Sequence, residues 1–223
     1  MVEPQNKYRY EKKFLISYSN LTEFLKSIYN HCYFEIYSKR QVNNLYFDDF
    51  NFTSFNENID GLSDRNKYRI RWYGSTFENS KKIIEIKLKT EFLNKKEKLD
   101  VGDKTLKSLR EIEYFFSDIQ SELLQLKNFR FYNFINNRIP TLFNSYKRMY
   151  FSEINRKIRI TVDTDLYFFS PITQIKTIES MVVVEIKYDS EDMFKNTFKN
   201  LTYTRYSKYV KGTSNTTFFK PNY

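Results

Sequence analysis

Glutamate and lysine stand two residues apart in three strand-like runs of this chain: Tyr10-Glu11-Lys12-Lys13-Phe14-Leu15-Ile16, Ile83-Ile84-Glu85-Ile86-Lys87-Leu88 and Val182-Val183-Val184-Glu185-Ile186-Lys187. In a β-strand residues i and i+2 share a face. Each run therefore sets a carboxylate beside an ammonium on one face and leaves the other face largely apolar. A fourth run alternates Lys67, Arg69 and Arg71 with Tyr68, Ile70 and Trp72. Arginine suits planar, two-point recognition of phosphate, and carboxylates hold hard divalent cations. Cations and carboxylates on one sheet face suggest a site that binds a polyanion together with a metal ion.

The elements that must position these residues read as follows. Arg9 to Ile16 is a first strand, with Arg9, Glu11 and Lys13 on one face. Asn20-Leu21-Thr22-Glu23 resembles a capping box, and Leu21, Phe24, Leu25 and Ile28 follow at helical spacing to about Asn30. Strands are expected at Val42–Asp48, Lys67–Tyr73, Lys82–Thr90 and Lys95–Leu99, the third and fourth strands pairing as a hairpin. Asn56 to Asp64 reads as a polar turn. Asp103 caps a helix carrying Leu106, Leu109 and Ile112, and a second helical stretch holds Ile119, Leu123 and Leu126. Phe129–Ile139 is ambiguous and ends at Pro140. Strands resume at Leu142–Phe151, Lys157–Leu166 and Met181–Tyr188, with Asp163 and Asp165 on the polar face beside Arg159. A short helix is expected near Glu191–Leu201. The spacing predicts an α+β, mainly antiparallel single domain over 1–223 with about eight strands. A persistently charged face fits either a sandwich with a solvated outer face or a closed barrel with a polar lumen. The arginine content favours the lumen.

Composition narrows the chemistry. The 223 residues carry 37 Lys and Arg against 27 Asp and Glu, a net charge of +10, which favours an anionic partner. Four glycines form neither a P-loop nor a dinucleotide fingerprint, so side chains must hold any phosphates. The single cysteine, Cys32, excludes an internal disulfide and a Cys-rich zinc site. The sequence shows no secretory h-region and no apolar run of the roughly 20 residues that span a bilayer, so a cytoplasmic location is expected, with a membrane partner allowed. His31 and Cys32 read as helix-end packing.

The ordered set of motifs is more specific than any one of them. After the first Glu-x-Lys come Leu45-Tyr46-Phe47-Asp48, Lys67-Tyr68-Arg69-Ile70-Arg71-Trp72-Tyr73-Gly74, Glu85-Ile86-Lys87, Tyr146-Lys147-Arg148, Arg159-Ile160-Thr161-Val162-Asp163-Thr164, Glu185-Ile186-Lys187 and Ser207-Lys208-Tyr209. Over about residues 8 to 212 this resembles the VTC domain, the polyphosphate polymerase domain of the triphosphate tunnel metalloenzyme (CYTH-like) superfamily. The resemblance implies a closed antiparallel β-barrel tunnel with a basic lumen and peripheral helices. It implies phosphate contacts from Lys13, Arg69, Arg71, Lys87, Lys98, Arg148, Arg159 and Lys208, with Lys95 and Lys96 competing for the position of Lys98. Tyr146 and Ser207 match positions beside these. Glu185 matches the metal-binding glutamate, and Glu11 either joins the metal or orients Lys13. The wider superfamily carries Glu-x-Glu-x-Lys in its first strand; here Arg9 occupies the first Glu position, which weakens the case for hydrolysis.

The expected activity is metal-dependent transfer of the ATP γ-phosphate to a growing inorganic polyphosphate chain. Arg69, Arg71, Arg148 and Arg159 would clamp the β- and γ-phosphates, with Mg²⁺ or Mn²⁺ on Glu185. The alternatives are a triphosphatase using Glu11 or Glu85 to orient water, and a basic nucleic-acid-binding protein. The last ranks low because no RNP-type aromatic motif or zinc spacing appears.

Overall fold

The computed structural model describes residues 10–90, 94–155, 157–188 and 201–218. In chain order the elements are β1 (Tyr10–Ser17), α1 (Tyr18–Asn30), β2 (Phe34–Asp48), α2 (Thr53–Asp60), β3 (Arg65–Tyr73), β4 (Ser80–Lys89), β5 (Asn94–Lys104), a 3₁₀ turn (Leu109–Glu111), α3 (Ile112–Gln125), α4 (Phe129–Ile135), β6 (Ile139–Ser152), β7 (Arg159–Phe169), β8 (Lys176–Ile178), β9 (Met181–Tyr188) and α5 (Lys208–Thr216). The hydrogen-bonded strand order is β1-β9-β7-β6-β2-β3-β4-β5, with β8 on β7. The expected eight strands are thus nine among the described residues. Among the described residues this path has two ends, β1 and β5, and no hydrogen bonds close it.

The chain divides into two compact units. The first holds residues 1–40, 147–166 and 179–206; the second holds 41–146, 167–178 and 207–223. In the first, Phe14 and Ile16 of β1, Ile160 and Val162 of β7, and Val182, Val184 and Ile186 of β9 form one core with Phe24 and Ile28 of α1. In the second, Leu45 and Phe47, Tyr68, Ile70 and Trp72, and Ile84 and Ile86 pack with Phe115, Phe116, Ile119 and Leu123 of α3. Fully burying one such side chain contributes about 1.5–3 kcal/mol. These apolar positions alternate with the ionic ones, so the burial that builds each core also fixes the direction in which the charges point.

Several elements depart from the sequence reading. Helix α1 starts at Tyr18 with Ser17 as N-cap and no side-chain capping bond, so the Asn20 box lies inside the helix. Strand β2 begins at Phe34, eight residues before Val42. The polar stretch expected as a turn begins inside α2 and holds its C-terminal part, closed by Gly61 at φ 72°, the left-handed conformation that glycine adopts freely. Asp103 lies in β5 rather than capping a helix, and α3 starts only at Ile112. Strand β8 and helix α5 were not foreseen. Arg9 and residues 191–200 of the expected helix lie outside the described residues.

Candidate functional site: two ionic clusters

The second unit carries the denser cationic cluster. Antiparallel register sets Arg69 opposite Glu85 and Lys67 opposite Lys87. Arg69 donates from Nε and Nη2 to Glu85 Oε2 at 2.8 and 2.5 Å. Arg71 Nη1 lies 3.7 Å from the same oxygen, and Lys96 Nζ lies 2.5 Å from Oε1. One nearly buried carboxylate therefore gathers three cations. Burial alone would raise the Glu85 pKa, but Arg69, Arg71 and Lys96 outweigh it and hold the carboxyl well below the usual range. Lys96 is pulled down to about 7 by burial, which Glu85 only partly offsets against the push of Arg69 and Arg71.

Neutral partners complete the positioning. Arg71 Nε donates to Asn44 Oδ1 at 2.8 Å, and the Asn44 amide donates to Asn144 Oδ1 at 2.9 Å. Arg71 Nη2 lies 3.5 Å from the Tyr146 hydroxyl. Arg69 Nη1 donates to the Tyr46 hydroxyl at 3.2 Å. Burial would raise the Tyr46 phenol, yet Arg69, Arg71 and Lys208 lower it. That shift is the signature of a strongly positive field acting on a buried group.

Helix α5 delivers two further residues. The Ser207 hydroxyl is its N-cap, accepting from Val210 N–H and from Lys67 Nζ at 3.0 Å. Lys208 Nζ sits 4.7 Å above the Tyr146 ring. The helix is anchored by the Tyr209 hydroxyl, which donates to Asp48 Oδ2 at 2.6 Å. The Asp48 carboxylate also accepts from Ser54 and Phe55 N–H at the start of α2. Gly212 lets α5 approach closely: a Cβ there would meet Phe168 Cδ1 at 2.5 Å and Leu142 Cδ2 at 2.6 Å. Lys87 and Lys98 lie on the same strand faces and, like Lys96, are exposed. Lys98 is in register with Glu85, yet Lys96 is the lysine whose ammonium reaches it. A cavity of about 440 Å³ in this unit is lined by Phe50, Phe116, Arg138 and Pro140 among others. It lies on the helix side of the sheet, where Arg138 stacks on Tyr68 at 3.8 Å, and its apolar lining does not suit a polyanion.

The first unit carries a mixed cluster. The β1–β9 register pairs Glu11 with Lys187 and Lys13 with Glu185, so acids and bases alternate in both directions. Lys187 Nζ is 2.8 Å from Glu185 Oε1 and 3.4 Å from Glu11 Oε2. Lys13 Nζ is 3.1 Å from Glu11 Oε1, 3.9 Å from Glu185 Oε2, and donates to the Tyr206 carbonyl at 3.1 Å. Burial opposes ionisation of Glu185, but Lys187, Lys13 and Arg148 hold its carboxyl well below the usual range. Across β7–β9, Arg159 is in register with Lys187 and Thr161 with Glu185.

Arg148 forms the tightest ion pair of this unit's cluster. Its Nε and Nη2 donate to Asp163 Oδ1 and Oδ2 at 2.5 and 2.7 Å, and Asp163 is fully buried. The arginine paired with Asp163 is Arg148; Arg159 is exposed at the start of β7. Asp165 leaves the expected polar face: its φ is 55°, and its carboxylate meets Lys147 at 3.1 Å.

The sequence-expected residues therefore fall into two groups. Arg69, Arg71, Lys87, Lys98, Tyr146, Ser207 and Lys208 belong to the second unit, and Glu11, Lys13, Arg148, Arg159 and Glu185 to the first. Lys67, Lys187, Asn44, Tyr46, Asp48 and Asp163 are added by the structure, and Lys96 takes the contact expected of Lys98. Lys67 and Lys187 were visible in the alternating runs, and Tyr46 and Asp48 in their motif. Asn44 and Asp163 act through cross-strand partners that local spacing does not reveal.

Among the described residues no three His, Cys, Asp or Glu side chains form a metal-holding group, and no helix is long and apolar enough to cross a membrane. A comparison with curated proteins finds no match. Solved structures share the fold at low identity. A proposed adenylate cyclase from Vibrio parahaemolyticus has a TM-score of 0.51 at 12% identity, covering 92% of this chain and 97% of its own. One from Bacillus halodurans gives 0.53 at 13%, covering 92% and 96%. A proposed adenylyl cyclase from Hippeastrum, described as having a dominant triphosphatase activity, gives 0.55 at 14%, covering 96% and 98%. With residues 8–217 matching the family described as VTC domain, this chain belongs to the VTC-domain family.

Proposed function

We propose that this protein is a polyphosphate polymerase that transfers the γ-phosphate of ATP to the end of an inorganic polyphosphate chain. The observation that carries the reading is the second unit's cluster: Arg69, Arg71 and Lys96 are oriented on the single Glu85 carboxylate, with Lys67 and Lys208 nearby on Ser207 and Tyr146. Such an excess of preorganised cations suits a chain of phosphates. It suits an attacking water less well, because the Glu85 carboxylate is engaged by bases.

The nucleophile in this reaction is a terminal phosphate oxygen, already ionised at neutral pH. It forms a bond to the γ-phosphorus while the bond from that phosphorus to the β-phosphate bridging oxygen breaks and ADP leaves. No proton need be removed, so the protein's work is positioning and charge stabilisation. Arg69 and Arg71 act on phosphate oxygens within the second unit. In the first unit Arg148, held by Asp163, and Lys13 and Lys187 do the same, with Arg159 at the exposed end of that face.

A divalent cation fits the first unit. Glu185 and Glu11 would be the residues to hold it, since carboxylate oxygens suit hard cations such as Mg²⁺ or Mn²⁺. Mg²⁺ or Mn²⁺ held this way would neutralise charge on the phosphates.

A second reading, triphosphate hydrolysis, is favoured by the triphosphatase activity named for the Hippeastrum structure. Incubating the purified protein with ATP, Mn²⁺ and a short polyphosphate primer separates the two. Primer lengthening on a gel, lost in Arg69→Ala, supports transfer; phosphate release with no lengthening supports hydrolysis.

A further inference from the structure

Strand β6 carries Arg148 and Tyr150 on one face, two residues apart. Beside Tyr150 the first unit builds a group that its core does not need. Arg40 stacks over both Tyr37 and Tyr150, at 5.0 and 4.9 Å from the ring centroids. The two rings meet edge to face at 5.6 Å and 86°. Arg148, while held by Asp163, also faces the Tyr150 ring at 5.9 Å. This stretch of β2 is open to solvent, with Tyr37 53% and Phe34 50% exposed. A polyphosphate chain has no use for aromatic faces, whereas a nucleobase does: stacking on aromatic rings and on guanidinium planes is the sequence-tolerant way proteins hold bases.

We infer that Tyr37, Arg40 and Tyr150 form a platform for the base of the nucleoside triphosphate whose phosphates reach Arg148. This rests on the proposed phosphate-binding role of the first unit's cluster. The base lies against the exposed Tyr37 ring and the Arg40 guanidinium, and Tyr150 backs both. Arg148 marks the junction, touching the platform on one side and turning toward the phosphates from its Asp163 anchor. The platform contributes to nucleotide binding and leaves the polymer, which has no base, unaffected. It also distinguishes donor from acceptor: both are polyanions, but only the donor carries a ring.

The test measures affinity for β,γ-imido-ATP and for tripolyphosphate by calorimetry, using wild type, Tyr37→Ala and Tyr37→Phe. Removing one stacking ring weakens nucleotide binding by about tenfold. Tripolyphosphate affinity stays within about twofold, and Tyr37→Phe restores nucleotide binding because it restores the ring. Saturation transfer between tyrosine ring protons and adenine H8 and H2 in the wild type reads the same contact without a variant. Unchanged nucleotide affinity in Tyr37→Ala, equal weakening of both ligands, or no transfer to the base would overturn the platform while leaving the phosphate site standing. Failure of the wild type to bind either ligand would overturn the phosphate-binding reading, and the platform with it.

Discussion

Replacing Asp163 by Asn tests how the first unit holds its key arginine. Asp163 is fully buried and Arg148 is 13% exposed, and two short hydrogen bonds join them. Removing one partner of a buried pair strands the other charge and costs about 3–5 kcal/mol. Asparagine can still accept one of the two bonds, so the lower end, about 3 kcal/mol, applies. For a chain of this size that corresponds to a fall in Tm of about 6–12 °C. Arg148→Met should cost at least as much, since it removes the two-point donor of a fully buried carboxylate. Asp163→Asn combined with Arg148→Met removes both charges, and its loss should be clearly smaller than the sum of the single losses. The assay is thermal unfolding of the four proteins at neutral pH. Additive losses, or single losses under about 1 kcal/mol, would mean that the pair acts like an exposed one and that Asp163 does not fix Arg148.

Arg69→Ala and Arg71→Ala should each slow turnover by roughly 10²–10³-fold, the usual scale for deleting one preorganised charge stabiliser. The fold should persist because Glu85 keeps two of its three cations; near-normal turnover with a collapsed Tm would make these arginines structural. Glu185→Gln should abolish the dependence of turnover on Mg²⁺ or Mn²⁺ concentration together with most of the activity, and an unchanged metal titration would remove Glu185 from the ligand set. Lys96, held at about 7 in the folded protein, is cationic below that pH and neutral above it. Polyphosphate affinity should therefore fall as pH rises through about 7, and Lys96→Arg should flatten the fall; identical pH profiles would show that Lys96 does not contact the anion.

Strands β1, β3, β4 and β9 were legible because one face is apolar and the other ionic, a pattern that burial enforces with period two. Arg69, Arg71 and Glu185 were legible for the same reason. The first half of β2 was not, since Phe34 to Arg40 is open to solvent on both faces and shows no alternation. Helices α2 and α5 were missed because they are mainly polar and are held from outside, by Asp48, Tyr209 and the close approach at Gly212. The choice of Lys96 over Lys98 was undecidable from parity, because both lysines share a face and only side-chain reach separates them. Asp163 was legible as a polar-face residue but not as the partner of Arg148, since that pairing depends on which strands become neighbours.

The most direct test of polymerisation follows the label from [γ-³²P]ATP when the purified protein is given Mn²⁺ and a polyphosphate primer. The account predicts that most of the label enters polymer that is stable to phosphatases acting only on nucleotides, and that ADP forms in equal amount. Label recovered only as free phosphate, with the primer unchanged in length, would contradict it and establish the triphosphatase reading instead.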